Sequence, residues 1–255
     1  TTVCPTGALS YVYPKAAEQG QKLSTLLGAY QKAGGRDAVL LVHSQQAGQR
    51  LIESLGRAAQ LGVAQGLPAQ VIPVSVWHTA SLGLDVWLTA LAHGAAQVLV
   101  LATQEEAPQY TEGLQAQMDQ VQALLEGLGY AKPGRLRVQW LHATQLAELD
   151  SELQRLTTGV NRLHTTVPHG TFAVAAEKRG TLELALAHLL AHAPALQSPA
   201  ASPTELALPE AGALWGSVAI DQAACTLCMS CVSACPAGAL QDNPELPQLR
   251  FVEKN

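Results

Sequence analysis

HTASLGLDVWLTALAHGAAQVLVL, residues His78–Leu101, is the stretch that decides the fold. Leu84–His93 has the length and composition of a helix, and Gly94 stands where a helix stops. Gln97–Leu101 then runs apolar, in alternating Val and Leu, over a strand-sized length with no polar alternation. Continuous apolar character of that kind belongs to a strand covered on both faces. A helix followed so closely by such a strand is one half of a βαβ unit.

The same pattern repeats on either side. Ala38–His43, Gln70–Val76 and Arg135–Trp140 are further strand-sized runs, and Gly48–Gln60, Gln109–Leu128 and Gln145–Leu156 read as the helices that follow strands. Gly127, Gly129 and Pro133 mark the end of the helix over Gln109–Leu128. A helix over Lys22–Ala33, stopped by Gly34-Gly35, precedes the series, and one over Leu182–Ala193 follows it. Strand–helix alternation at this spacing predicts an α/β fold: a parallel sheet with helices on both faces. The composition then changes. Ala193–Pro203 carries three prolines among small residues without periodicity, which reads as a linker.

Composition narrows the function classes. Hydrophobic residues make up 48% of 255 positions, enough for a sizeable core. Charged residues are 14% and the net charge is −5, so no basic surface for nucleic acid is expected. No apolar run reaches membrane-spanning length; Ala38–Val42 is only strand-sized. The five cysteines are odd in number and four of them lie within Cys225–Cys235, unlike a disulfide framework. Reduced cysteine ligands in a cytoplasmic setting are the expectation.

Cys225, Cys228, Cys231, Cys235 and Pro236 form C-x2-C-x2-C-x3-C-P. This spacing places three thiolates on a loop around one 4Fe–4S cluster and turns the fourth toward another, with the proline breaking any helix. Small residues at Ser230, Ala234, Ala237 and Gly238 let backbone N–H groups approach cluster sulfurs. A zinc site more often pairs two distant C-x2-C halves. The stretch resembles the bacterial two-cluster ferredoxins over Ser217–Asn255, and again over Cys4 to about Tyr13, where CPTGAL at Cys4–Leu9 echoes CPAGAL at Cys235–Leu240.

Such a two-cluster module takes about eight cysteines. Two arrangements fit the five present. In one, the chain folds back and Cys4 completes the cluster of Cys225, Cys228 and Cys231. In the other, the favoured expectation, the chain is cut from a longer protein with a ferredoxin module on each side of the sheet. Cys4 then ends the upstream module, and Gln248–Asn255 leads toward a second cysteine motif. The expected organisation is residues 1–20 as the tail of an upstream ferredoxin-type module and 21–193 as the α/β domain. Residues 194–216 are then the Pro/Ala-rich linker and 217–255 an incomplete ferredoxin-type module.

The central domain is similar to the iron–sulfur (delta) subunit of methyl-viologen-reducing hydrogenase/heterodisulfide reductase complexes, through Asp85, Gly94-Ala95, Val98–Leu101, Leu124–Gly129 and Arg135–Trp140. That resemblance covers roughly Ala38–Leu156. In that family, cysteines after the strands hold a 2Fe–2S cluster, but here no cysteine lies between residues 5 and 224. The turns carry His78 and Thr103–Glu106 instead, so no 2Fe–2S site is expected. The whole arrangement also resembles the multi-cluster 4Fe–4S ferredoxin-type proteins associated with formate dehydrogenase in proteobacteria. The resemblances imply a flavodoxin-like α/β domain joined to ferredoxin-type modules, an electron relay without catalysis of its own, and a larger redox enzyme such as formate dehydrogenase as partner.

Open parallel sheets bind ligands beyond the carboxyl ends of their strands. Those ends give His43, His78, Thr103, Glu105 and His142 as a candidate rim for a nucleotide, a flavin or a metal; the alternative is that loop ends are polar because they face water. With one glycine in His43–Gly48, no dinucleotide fingerprint follows the first strand, and no Walker motif occurs. His93 reads as a favourable charge at a helix C-terminus. His169 reads as part of a turn, His188 and His192 as surface helix residues, and Trp77 and Trp87 as core packing. Ligand binding or docking by the α/β domain is therefore the alternative function.

Overall fold

The computed structural model describes residues 12–130, 136–158, 167–197, 206–211, 215–216 and 218–252. The chain divides into two compact units, Thr1–Ala213 and Leu214–Asn255.

The first unit runs α1 (Ala16–Lys32), β1 (Ala38–Ser44), α2 (Ala47–Gln60), β2 (Val71–Val76), α3 (Leu84–Ala92), β3 (Ala95–Ala102), α4 (Pro108–Gly127), β4 (Arg137–His142), α5 (Leu146–Thr157) and α6 (Lys178–Ala191). Its four strands are parallel in the order β2-β1-β3-β4. The register sets Val74, Val42, Val100 and Trp140 in one row across the sheet. Every residue of β1 and β3 is buried, as expected for central strands covered on both faces. The order means that the chain steps outward from β1 through α2 and then reverses through α3. With right-handed crossovers these helices lie on opposite faces.

Side chains alternate between the faces. Val39, Leu41, Leu99, Leu101 and Leu141 pack with Leu55 of α2 and with Leu149 and Leu153 of α5. The opposite face of the sheet meets α3 and α4, and α1 packs against α3. There α3 is apolar nearly all round: it lies between the sheet and α6, and seven of its nine residues are buried. Residues 167–177 strap this layer: Gly170 N–H donates to the Ala92 carbonyl at 2.9 Å.

Two features differ from the sequence reading. Both α1 and α6 begin earlier than expected, at Ala16 and Lys178. The stretch read as linker makes specific contacts where it is described. Ala195 N–H donates to the Leu128 carbonyl at 3.1 Å, and Gln120 of α4 donates to the carbonyls of Pro209 and Ala211. Backbone groups there find partners on α4, which composition cannot show.

The second unit holds the short helix α7 (Ser230–Ala234) and an antiparallel hairpin of β5 (Leu240–Asp242) and β6 (Leu249–Phe251). Among its described residues only Ala239 is buried.

Candidate functional site

The rim is built where strands meet loops. Between β1 and β3, where the strand order reverses, Glu105 fills the crevice. Its carboxylate accepts from the Ser44 hydroxyl at 2.5 Å and from Ala47 N–H at 2.9 Å, and Ser44 Oγ accepts from Gly48 N–H at 3.0 Å. Free N–H groups of a helix N-terminus are where an anionic ligand would be held, and here the protein's own carboxylate reaches them. Glu106 ties the next loops together, accepting from Thr79 Oγ1 at 2.9 Å, Thr103 N–H at 2.7 Å and Thr103 Oγ1 at 3.0 Å.

The candidate rim residues therefore lie along one sheet edge without meeting in one site. Thr103 and Glu105 are joined by a bond from Glu105 N–H to Thr103 Oγ1 at 3.2 Å. His43 is buried, with Nδ1 3.0 Å from the Ser44 carbonyl, and desolvation pushes its pKa down. His78 caps a single 3-10 turn, Thr79–Ser81, by accepting from Ala80 N–H at 3.1 Å, and its ring meets Tyr110 edge-on at 5.3 Å. His142 is exposed on the outer strand β4, beside Trp140. Glu106 belongs to the Thr103–Glu106 turn but not to the candidate rim; only the fold brings it to Thr79.

His93 corrects the sequence reading of a charged cap. It is fully buried, and desolvation lowers its pKa to about 4, so it is neutral at pH 7 and offers the helix end no cation. Its Nδ1 instead lies 2.9 Å from the Gly170 carbonyl. His169 Nδ1 is 2.7 Å from the His93 carbonyl, and Phe172 stacks on the His93 ring at 4.7 Å. These groups fasten the strap to α3. Trp87 is core, as read, but Trp77 is 66% exposed.

Beside the rim lies a groove of about 1000 Å³ between α1, the end of β2, the first turn of α3 and the strap. Trp77, Leu82 and Val86 are part of its apolar lining, and Asp85 and Lys178 stand 4.0 Å apart with only 16% and 11% of their side chains exposed. Desolvation raises the Asp85 carboxyl above its ordinary range, against the pull of Lys178. None of the five rim residues lines this groove. The sequence signal for it is slight, because its walls come from five separate segments.

In the second unit, Leu227 and Met229 take positive φ of 56° and 59°, bending the chain sharply on both sides of Cys228. The Ser230 hydroxyl, 3.3 Å from Cys228 Sγ, then the Ser230 N–H and the Thr226 hydroxyl, hold that thiol below its ordinary pKa. N–H groups of Leu240, Ala239, Ala237 and Gly238 do the same for Cys235. Backbone donors that favour thiolate suit metal–sulfur ligation. Cys225, Cys228 and Cys231 are exposed and Cys235 is partly so. Among the described residues no three His, Cys, Asp or Glu side chains are gathered as a metal cage. Cys4 lies outside the described residues.

Comparison with known families adds two matches. Residues 54–164, from within α2 to just beyond α5, match the family described as methyl-viologen-reducing hydrogenase, delta subunit. Residues 217–240, which contain all four clustered cysteines, match the 4Fe-4S binding domain family. No curated protein matches the chain. The chain thus carries a hydrogenase-delta-subunit-like domain and a 4Fe–4S binding domain. Among the described residues no helix is long and apolar enough to cross a membrane.

Proposed function

We propose that the chain is an iron–sulfur electron-transfer subunit that relays single electrons to or from a larger redox enzyme. The observation that carries this reading is the Cys225–Pro236 run, bent at two left-handed residues and surrounded by N–H and hydroxyl donors, inside the 4Fe–4S match. Cys225, Cys228 and Cys231 hold one cluster, Cys235 faces another, and Cys4 is the candidate to complete a set. A 4Fe–4S cluster supplies one-electron oxidation and reduction. The chain's part is to hold the thiolates, direct N–H donors at sulfur and leave the loop exposed for close approach by a partner. The α/β unit, with no cysteine between residues 5 and 224, serves to dock the relay on that enzyme. Formate dehydrogenase is the partner we put forward.

The test is anaerobic preparation of the full chain, with iron and sulfide counted and the reduced form examined by electron paramagnetic resonance. The expected result is a reducible iron–sulfur signal that Cys228→Ser abolishes. Bound zinc with no such signal overturns the reading. Loss of the four-iron signal in Cys4→Ala places Cys4 in that cluster, and an unchanged signal removes it. Reduction of the chain by formate and formate dehydrogenase supports that partner; no reduction rejects it while leaving the iron assay to judge the relay.

A further inference from the structure

The groove beside the rim has a built floor. Asp85 and Lys178 are charged, mostly buried and 4.0 Å apart. A buried ion pair is a poor source of stability, since well-packed apolar residues of similar volume do as well or better. Asp85 comes from the first turn of α3 and Lys178 from the first turn of α6, so the pairing is made by the fold. Side by side, a carboxylate accepts and an ammonium donates, which is complementary to a ligand edge carrying an N–H next to a carbonyl oxygen.

The walls add shape. Leu82 and Val86 offer apolar contact, and the Trp77 indole is two-thirds exposed where β2 ends. A large aromatic in that position is a stacking platform for a flat ring. The groove opens beyond the carboxyl end of β2, on the edge where such sheets take ligands, and its volume of about 1000 Å³ is at the upper end for a cofactor-sized molecule. The neighbouring crevice at the strand reversal is already filled by Glu105. Charge narrows the class. Glu18, Asp85 and Glu177 outnumber Lys22 and Lys178 among the groove residues, so a phosphate tail gains little there.

We propose that this groove binds an uncharged planar heteroaromatic compound with a lactam edge, the chemistry shared by flavin, pterin and uracil-type rings, its edge on Asp85 and Lys178 and its face on Trp77. The site belongs to the α/β unit alone and does not depend on the iron–sulfur reading. Riboflavin, biopterin and uridine are titrated in parallel into the full chain, followed by calorimetry and, for the first two, by ligand fluorescence.

The expected result is saturable binding of at least one probe, weakened about tenfold or more by Trp77→Ala. The double variant Asp85→Asn/Lys178→Met, which removes both charges while keeping volume, has the same effect, with circular dichroism and melting confirming the fold. The ranking of the three probes identifies the ring system. Glu105→Gln, at the strand-reversal crevice, leaves binding unchanged, and so does Cys228→Ser. No saturable binding of any probe overturns the proposal. So does binding that survives either groove variant, or binding lost on Glu105→Gln alone.

Discussion

The two units differ in what they bury. In the α/β unit β1 and β3 are buried along their whole length, whereas in the cysteine unit only Ala239 is buried among the described residues. An apolar core folds by removing surface from water, at roughly 25 cal/mol per Å². With so little apolar surface buried among the described residues of this short unit, another source of order is expected, and small domains commonly find it in a metal centre.

Removing iron gives the largest separation of the two units. With iron chelated from the reconstituted protein, hydrogen exchange over residues 218–252 is expected to lose all protection, while β1 and β3 keep theirs. Protection that survives chelation in the cysteine unit would break the comparison. Leu99→Ala makes the converse cut. Leu99 is fully buried in the core between the sheet, α2 and α5, and its truncation is expected to cost ~2–5 kcal/mol in the unfolding of the α/β unit. Iron content should not change; a parallel loss of iron would show that the units fold together.

The third cut is by pH. His93 has a folded-state pKa of about 4, below its ordinary 6.5, so between these values the unfolded chain binds the extra proton. Stability of the α/β unit is therefore lost as pH falls through that window, by at most about 3 kcal/mol. His93→Phe keeps a ring against Phe172 and takes no proton. Its stability–pH curve, measured by denaturant unfolding from pH 7 to pH 4, is expected to be flatter than that of the parent chain. Equal slopes in the two proteins would remove His93 as the cause.

Much of this was legible in the chain itself. The apolar runs at Ala38–His43 and Gln97–Leu101 fall in β1 and β3 because a strand buried on both faces leaves no room for polar alternation, whereas Gln70–Val76 and Arg135–Trp140 overlap the edge strands β2 and β4, which are only partly buried. The metal chemistry was legible for a different reason: ligand spacing in C-x2-C-x2-C-x3-C is a local property, written in consecutive turns. The rim was only half legible. Strand ends showed which residues share an edge, but Ser44 and Glu105 are 61 positions apart and Thr79 and Glu106 are 27 apart, so their pairing waits on strand order.

Sequence by itself determined the strand–helix alternation, the parallel class of the sheet and the iron–sulfur character of the cysteine run, because period, length and spacing are local. Tertiary structure alone decided the rest. It buried His93 and so removed its charge, since desolvation depends on what packs around a ring rather than on its neighbours in the chain. It used Glu105 to close the strand-reversal crevice. It also joined Asp85 to Lys178, residues 93 positions apart (178 − 85), across a groove that exists only once α1, α3 and the strap have met.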